Sequence, residues 1–227
     1  LLPQKGPYMA QVVFTEMCSP FATGPRQYDG TFYEFHTYYL KSSKMNEFLE
    51  DIKKNIHLRT AHSELIGYWS LEFGGRMNKV FHIWKYDNFA HRTEVQKALA
   101  KNKEWQEQFL IPNLLLVDKQ ECEITYLVPW CKIEKPPKEG VYELATFQMK
   151  PGGPALWGDA FQRAIHSHVN LNYAKLVGVF HTEYGLLNRV FFMFFGGMRV
   201  RIVVQLEDIC LMRILGLWQL SGKVPTT

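Results

Sequence analysis

The 227-residue sequence has little cysteine, and none of it is in a paired spacing. Cys18, Cys122, Cys131 and Cys210 form no C-x-x-C pair and none stands at ligand spacing from a histidine. They read as free thiols in a reducing compartment, with no metal site and no metal cofactor. Long apolar runs are missing too. Val190 to Met198 is uncharged but spans only nine residues, against the roughly 20 that a membrane-crossing helix needs. A strong excess of one charge sign is missing as well, with 26 Lys and Arg against 22 Asp and Glu. The net charge of +4 comes with no Arg/Lys cluster, so no nucleic-acid partner is expected. There is no G-x-x-x-x-G-K-[ST], G-x-S-x-G or H-E-x-x-H pattern, so no phosphate loop, nucleophile elbow or zinc-protease helix is expected. Gly152-Gly153 follows a strand without phosphate-loop context and reads as a turn. No catalytic residue and no cofactor-binding residue is assigned.

Aromatic residues are plentiful, and Asn78 to Tyr86 (N-K-V-F-H-I-W-K-Y) is the most informative stretch. Its alternation puts Val80, His82, Trp84 and Tyr86 on one face of a strand and Phe81, Ile83 and Lys85 on the other. Thr31 to Leu40 is a second aromatic strand, with Glu34 and His36 sharing a face. Glu34, His36, His82, Trp84 and Tyr86 are therefore the candidate pocket residues, converging if the two strands are neighbours and both faces look inward. A Glu–His pair of this kind suits a general base and its orienter. The blander reading, which we favour from sequence, is a hydrogen-bonded polar cluster inside an aromatic core. His166 and His168 lie two apart on a helix and so point to different sides, a poor spacing for a shared metal. His57 at the end of the first helix is accounted for by the helix dipole.

The elements follow in order. Residues 1–29 read as a disordered leader, too weakly basic to assign as a transit segment, and the Leu1 start suggests a fragment or a processed product. After the first strand comes a helix over Ser42 to Lys54 that Ser43 could cap. Glu64 to Phe73, a Gly74-Gly75 turn and Asn78 to Tyr86 make a hairpin. A helix from Ala90 to Phe109 is opened by Asp87-Asn88, and a strand runs from Glu123 to Val128. The order β-α-β-β-α-β over 30–129 is the ferredoxin-like pattern. Residues 130–140, with Pro136-Pro137, read as a linker.

The pattern then restarts over 141–195. Val141 to Met149 repeats the first strand, with Tyr142-Glu143 where Tyr33-Glu34 stood; Pro154 to His168 is a helix. Lys175 to Tyr184 and Asn188 to Phe195 repeat the hairpin, Leu176-Val177-Gly178 mirroring Leu65-Ile66-Gly67. A collinear internal repeat means two copies of one unit. The expected fold is α+β, with tandem ferredoxin-like repeats packing face to face or closing into a barrel.

Y-E-x-x-T-Y at Tyr33 to Tyr38, with N-x-V-x-H-x-W-x-Y at Asn78 to Tyr86, resembles the NIPSNAP family. Met17 to Gly30 and Leu127 to Lys132 resemble its third branch. The resemblance implies a dimeric α/β-barrel fold. It also implies a non-catalytic protein-interaction or adaptor role in mitochondria-associated or vesicular traffic. With that come protein partners, a place in the mitochondrion or cytosol, and room for a homo-oligomer. The alternative is a small-ligand-binding or cofactor-independent monooxygenase-like barrel with a pocket near His82.

The chain departs from the family in three places. The family's Tyr-Glu-x-Arg has His36 here, and Ala145 in the second copy. The first 16 residues are not the Arg-rich leader expected of this branch. After Val190 the family pattern His-Val-Leu-Trp-Trp-Asn-Glu-Ser-Ala-Asp is replaced. A synonymous back-translation of that segment, read one nucleotide on, gives Met-Phe-Phe-Gly-Gly-Met-Arg-Val-Arg-Ile, matching Met193 to Ile202. Residues from about 191 onward, and 196–227 as a unit, therefore read as a frameshifted tail. The expected consequence is a second repeat lacking its last helix and strand, an exposed sheet edge, and an apolar tail (Leu211, Met212, Ile214, Leu215, Leu217, Trp218, Leu220) able to form a helix by accident.

Overall fold

Period-two alternation of bulky side chains builds most of the elements in a computed structural model that describes residues 30–133, 141–170, 175–196 and 208–214. The leader, Cys18, the Pro-rich part of the linker and the rest of the tail lie outside the described residues. The order is β1 (Phe32–Leu40), α1 (Met45–Thr60), β2 (Glu64–Phe73), β3 (Lys79–Tyr86), α2 (Phe89–Lys101), α3 (Lys103–Trp105), a π-helical turn (Gln106–Leu110), α4 (Ile111–Leu114) and β4 (Val117–Leu127). Then come β5 (Val141–Gln148), α5 (Gly153–Asn170), β6 (Lys175–Tyr184), β7 (Arg189–Phe195) and β8 (Asp208–Ile214).

All the strand pairings are antiparallel, and the strands close into a barrel in the order β1-β3-β2-β8-β5-β7-β6-β4. Two apolar layers result. One fills the barrel, where Phe35 meets Phe180 and Phe191 at ring distances of 4.9 Å each and Trp69 meets Tyr142. The other lies between the first four strands and their helices and holds Phe48, Ile52, Ile56, Tyr68, Trp84, Leu99, Trp105 and Phe109.

Several local expectations are corrected. Ser43 does not cap α1: it sits at φ 69, and Lys44 at the N-cap makes no side-chain cap bond. The helix runs on to Thr60. Asn88 does cap α2, accepting from His91 N at 2.8 Å. The single helix expected to Phe109 instead breaks at Asn102, whose extended ψ of 101 ends one helix while its side chain accepts from Trp105 N to start the next. β4 starts at Val117 because its polar first half still pairs with β1. The linker begins tightly held: Cys131 is buried, and Trp130 and Ile133 pack on the barrel core.

The largest correction concerns the sheet edge. Residues 208–214, inside the stretch read as a frameshifted tail, form β8 rather than a helix and pair with β2 on one side and β5 on the other. An open edge on each half leaves two rows of unpaired backbone groups, and a short apolar segment satisfies both rows at once.

Candidate functional site

The register of β1 on β3 sets Glu34 opposite Trp84, His36 opposite His82 and Phe32 opposite Tyr86. The candidate side chains do share a face, as the alternation predicted. That face looks outward to the helices, however, and not into the barrel, which is filled by Tyr33, Phe35, Phe81 and Ile83 from the opposite face. The barrel takes the face carrying Tyr33, Phe35, Phe81 and Ile83 and leaves the face carrying Glu34 and the histidines to the helix layer.

A cavity of about 280 Å³ lies in that layer. His36, Tyr38, Tyr68, His82 and Trp84 form its floor on the sheet, and Arg59 of α1 reaches it from the side. Phe48 and Ile52 of α1, Leu99 of α2 and Trp105 and Phe109 of the helical turns close over it. Glu34 and Tyr86 do not line it; they hold the cations around it.

Glu34 is fully buried and Arg92 donates to its Oε1 twice, from Nε at 2.9 Å and Nη2 at 2.6 Å. Burial pushes the Glu34 carboxyl up, but its neighbours His36 and Arg92 more than reverse this and hold it well below the ordinary 4.5. His36 is itself driven toward neutrality by burial, so Arg92 is the partner we hold responsible. The His36 Nε2 atom is 3.2 Å from Glu34 Oε2, but outside hydrogen-bond geometry, and both atoms are buried without a hydrogen-bond partner.

His82 is sandwiched, stacked on His36 at 4.8 Å and on Tyr68 at 4.4 Å. Burial, reinforced by His36 and the Arg59 charge, keeps it neutral. Trp84 Nε1 donates to its Nδ1 at 2.8 Å, which fixes the proton on Nε2. That Nε2–H has no acceptor, and neither does the Tyr68 hydroxyl. Arg59 is 7 % exposed, lies over the Trp84 ring at 4.0 Å, donates from Nη2 to the Tyr86 hydroxyl at 3.4 Å, and leaves Nε unpartnered. Among the described residues no carboxylate pairs with it.

Arg59, Arg92, Tyr38, Tyr68 and Cys122 are the residues sequence reasoning missed. Cys122 stands beside His36 across the β1–β4 ladder and its thiol donates to Glu34 Oε1 at 3.3 Å. Glu34, His36 and Cys122 offer donor atoms within 4.8 Å of one another and are the residues that would hold a metal. Their surroundings oppose one, because Arg92 already matches the Glu34 charge and Arg59 adds a second cation. Cys122 is an exposed residue, but partial burial of its sulfur and the Glu34 charge push the thiol up to about 12. Iodoacetamide at pH 8 is therefore expected to label Cys122 in the folded protein at least about tenfold more slowly than in the urea-unfolded chain; equal rates by mass spectrometry would refute a held thiol.

A second cavity of about 400 Å³ opens at the barrel mouth around Tyr39, Lys79, Glu121, Glu123 and Arg189. Its acids are matched: Arg189 donates to Glu123 at 3.0 Å and Tyr39 to Glu121 at 3.0 Å. Of the other histidines named from sequence, His57 sits in the last turn of α1 against Lys54 O, and His166 is exposed near Trp130.

Comparison with known proteins fits this architecture. The NIPSNAP family model matches residues 33–132 and 142–194. Protein NipSnap homolog 3A of Homo sapiens is 86% identical over 175 residues, covering 77% of this chain and 71% of that protein. Protein NipSnap homolog 3B of Mus musculus is 77% identical over 180 residues, covering 79% and 73%. A solved "putative monooxygenase" from Lactobacillus acidophilus shares the fold alone, with TM-score 0.53 at 11% identity over 82% of this chain and 93% of its own. With its family model matching on both sides of the linker and relatives this similar, the chain belongs to the NIPSNAP family.

Proposed function

We propose that this chain is a non-catalytic binding protein whose cavity between the first four strands and their helices receives a small molecule. The observation that carries this is the set of buried polar atoms without partners on residues lining one cavity: His82 Nε2, Tyr68 Oη, Arg59 Nε and Asn113 Oδ1. Buried polar groups in native proteins are otherwise almost always paired, and convergent polar groups in a largely apolar hollow are how ligand sites are built. The π-helical turn supports the same reading. Such turns concentrate at functional sites, and this one delivers Gln106, Phe109 and Leu110 to the cavity.

The non-catalytic half of the reading is supported by the state of each reactive group. Both cavity histidines are held neutral, Glu34 is tied to Arg92, and the Cys122 thiol stays protonated. The fold we read as two ferredoxin-like copies in tandem. The strand orders β4-β1-β3-β2 and β6-β7-β5-β8 support it, with β8 standing in for the fourth strand of the second copy.

The test is thermal melting of the full chain with 4-methylphenol and 4-methylbenzoate, small probes with one polar head. At least one should raise the melting temperature saturably, as ligand linkage requires. Ala100→Trp at the mouth should abolish the shift without lowering the melting temperature of the free protein. No shift from either probe would overturn the reading.

A second reading is the protein-interaction or adaptor role in mitochondria-associated or vesicular traffic that the family resemblance implies, with a mitochondrial or cytosolic location. Ile111, Leu114 and Leu115 favour it, exposed by 57%, 53% and 72% and spaced to share one helical face after the π-helical turn. Among the described residues no helix is long and apolar enough to cross a membrane. Ile111→Ser/Leu115→Ser should weaken partner capture and leave probe binding intact if both roles coexist.

A further inference from the structure

We infer that the ligand is a small apolar carboxylate, its head group held by Arg59, His82 and Tyr68 and its body lying against Phe48, Ile52 and Leu99. The inference rests on the cavity reading above and adds the ligand's chemical class.

Arg59 carries the first step. A guanidinium with 7 % exposure and no carboxylate partner among the described residues is an unusual thing to keep in a fold. Burying a charge is costly unless it is paired and hydrogen-bonded. It stacks on Trp84 and meets the hydroxyls of Tyr86 and Tyr38, neither of which carries a charge to match it, and its Nε–H stays unused. An anion in the adjoining cavity supplies the missing partner.

Donor polarity carries the second. With Nδ1 of His82 occupied by the Trp84 indole N–H, the free Nε2 is a donor and not an acceptor. The Arg59 Nε–H is a donor by nature, and the Tyr68 hydroxyl donates as readily as it accepts. All three are buried, without partners, and belong to residues lining the same cavity; Asn113 Oδ1, an unpartnered acceptor on that cavity, is neutral and does not offset the Arg59 charge. Glu34, the buried acceptor nearby, does not line it. A cation would meet Arg59 and find no acid. A neutral alcohol would satisfy a hydroxyl or imidazole but leave the guanidinium charge unmatched.

Shape and walls carry the third. A planar carboxylate matches the planar guanidinium fork. Phe48, Ile52, Leu99, Trp105 and Phe109 give the other walls their apolar area, and the polar groups among them, Gln96, Gln106, Asn113 and Gln120, are neutral amides that supply no second charge. At about 280 Å³ the cavity is at the low end of the ~300–1,000 Å³ typical of ligand sites. The ligand is therefore a short aliphatic or single-ring acid.

The experiment is calorimetric titration of the full chain with 4-methylbenzoate, 4-methylphenol and 4-methylbenzylamine. The carboxylate should bind at least about tenfold more tightly than the phenol, the scale of one charge-assisted hydrogen-bonded contact, and the amine should not bind. Arg59→Met should remove the preference, so that carboxylate and phenol bind alike. Arg59→Lys, which keeps the charge but loses the fork, should weaken the carboxylate about tenfold. Tyr68→Phe should weaken it about fivefold. Near-ultraviolet circular dichroism checks each fold; if Arg59→Met does not fold, Arg59→Lys and Tyr68→Phe decide. Equal affinity of the wild type for carboxylate and phenol, or a preference indifferent to these substitutions, would overturn the carboxylate assignment and leave the cavity reading standing. Failure of all three probes would overturn both.

Discussion

Arg92→Ala is expected to destabilise the fold by about 3 kcal/mol at pH 7, the scale for removing one partner of a buried ion pair, and Glu34→Gln by no more than about half of that. The asymmetry follows from where the two charges sit. Glu34 is fully buried, on β1 beneath the N-terminal turn of α2. Removing Arg92 strands a buried carboxylate with no cationic partner, with neutral His36, the Cys122 thiol and the Tyr86 hydroxyl left beside it. Removing the charge of Glu34 strands a guanidinium whose side chain is 33% exposed and can rehydrate. Urea unfolding of the two variants and of Arg92→Ala/Glu34→Gln measures this. The double variant should be more stable than Arg92→Ala alone. Equal costs for the two single variants would mean the pair behaves as a surface salt bridge.

The same pair sets an acid limb. Glu34 has a folded-state pKa depressed below the ordinary 4.5, so its contribution to stability is fully present above that value. It is lost as pH falls below 4.5 and on through the depressed folded value. In Arg92→Ala this contribution shrinks. Burial is then less fully offset and raises the carboxyl relative to wild type, so the variant has less charge-linked stability to lose as pH falls. The stability gap between wild type and Arg92→Ala should therefore be widest near pH 7 and narrow toward pH 4. A gap constant over that range would place the effect of Arg92 in packing and not in charge.

How much of this was legible in the sequence depends on how far each fact reaches along the chain. The faces of β1 and β3 were legible because alternation is a two-residue property, and the β2–β3 pairing because a Gly-Gly turn joins them, whereas the β1–β3 adjacency stood only as a condition. Which face looks outward was not, because it depends on which face the barrel claims once both halves have closed. Arg59 was hidden by a sufficient local explanation, since a cation in the last turn of α1 complements the helix dipole wherever it points. Arg92 carried a readable signal. It stands in the first turn of α2, with no acid there to offset it, where a cation opposes the dipole. A cation in an unfavourable helical position suggests a partner elsewhere, and that partner is Glu34. Tyr68 and Cys122 reach the site only through strand register, which no local pattern encodes. The strand β8 was missed because reading the tail as unselected suggested an open edge, whereas backbone pairing asks little of the side chains that fill a gap between two edges.

Gly67→Ala is expected to cost about 3 kcal/mol, at the upper end for overpacking a filled core. Gly67 follows a register shift in β2, and the Trp69 indole folds back along the strand over it. A Cβ at Gly67 would come within 2.2 Å of Trp69 Cη2 and 2.3 Å of Cζ2, distances no rotamer adjustment of a fully buried indole can absorb. The second half of the chain repeats the device: Gly178 follows a register shift in β6, and a Cβ there would lie 2.6 Å from Phe180 Cε2. Each half thus uses a missing side chain to lay an aromatic ring flat in the barrel. Trp69→Phe removes the indole portion that meets the new methyl. It forfeits no hydrogen bond, because Trp69 Nε1 has none, and should cost about 1–2 kcal/mol as a large-to-small change. The two substitutions should then compensate, Gly67→Ala/Trp69→Phe costing at least about 1 kcal/mol less than the sum of the singles. Additivity within about 0.5 kcal/mol in a double-mutant cycle would show that Gly67 is required by its own backbone and not by the ring it admits.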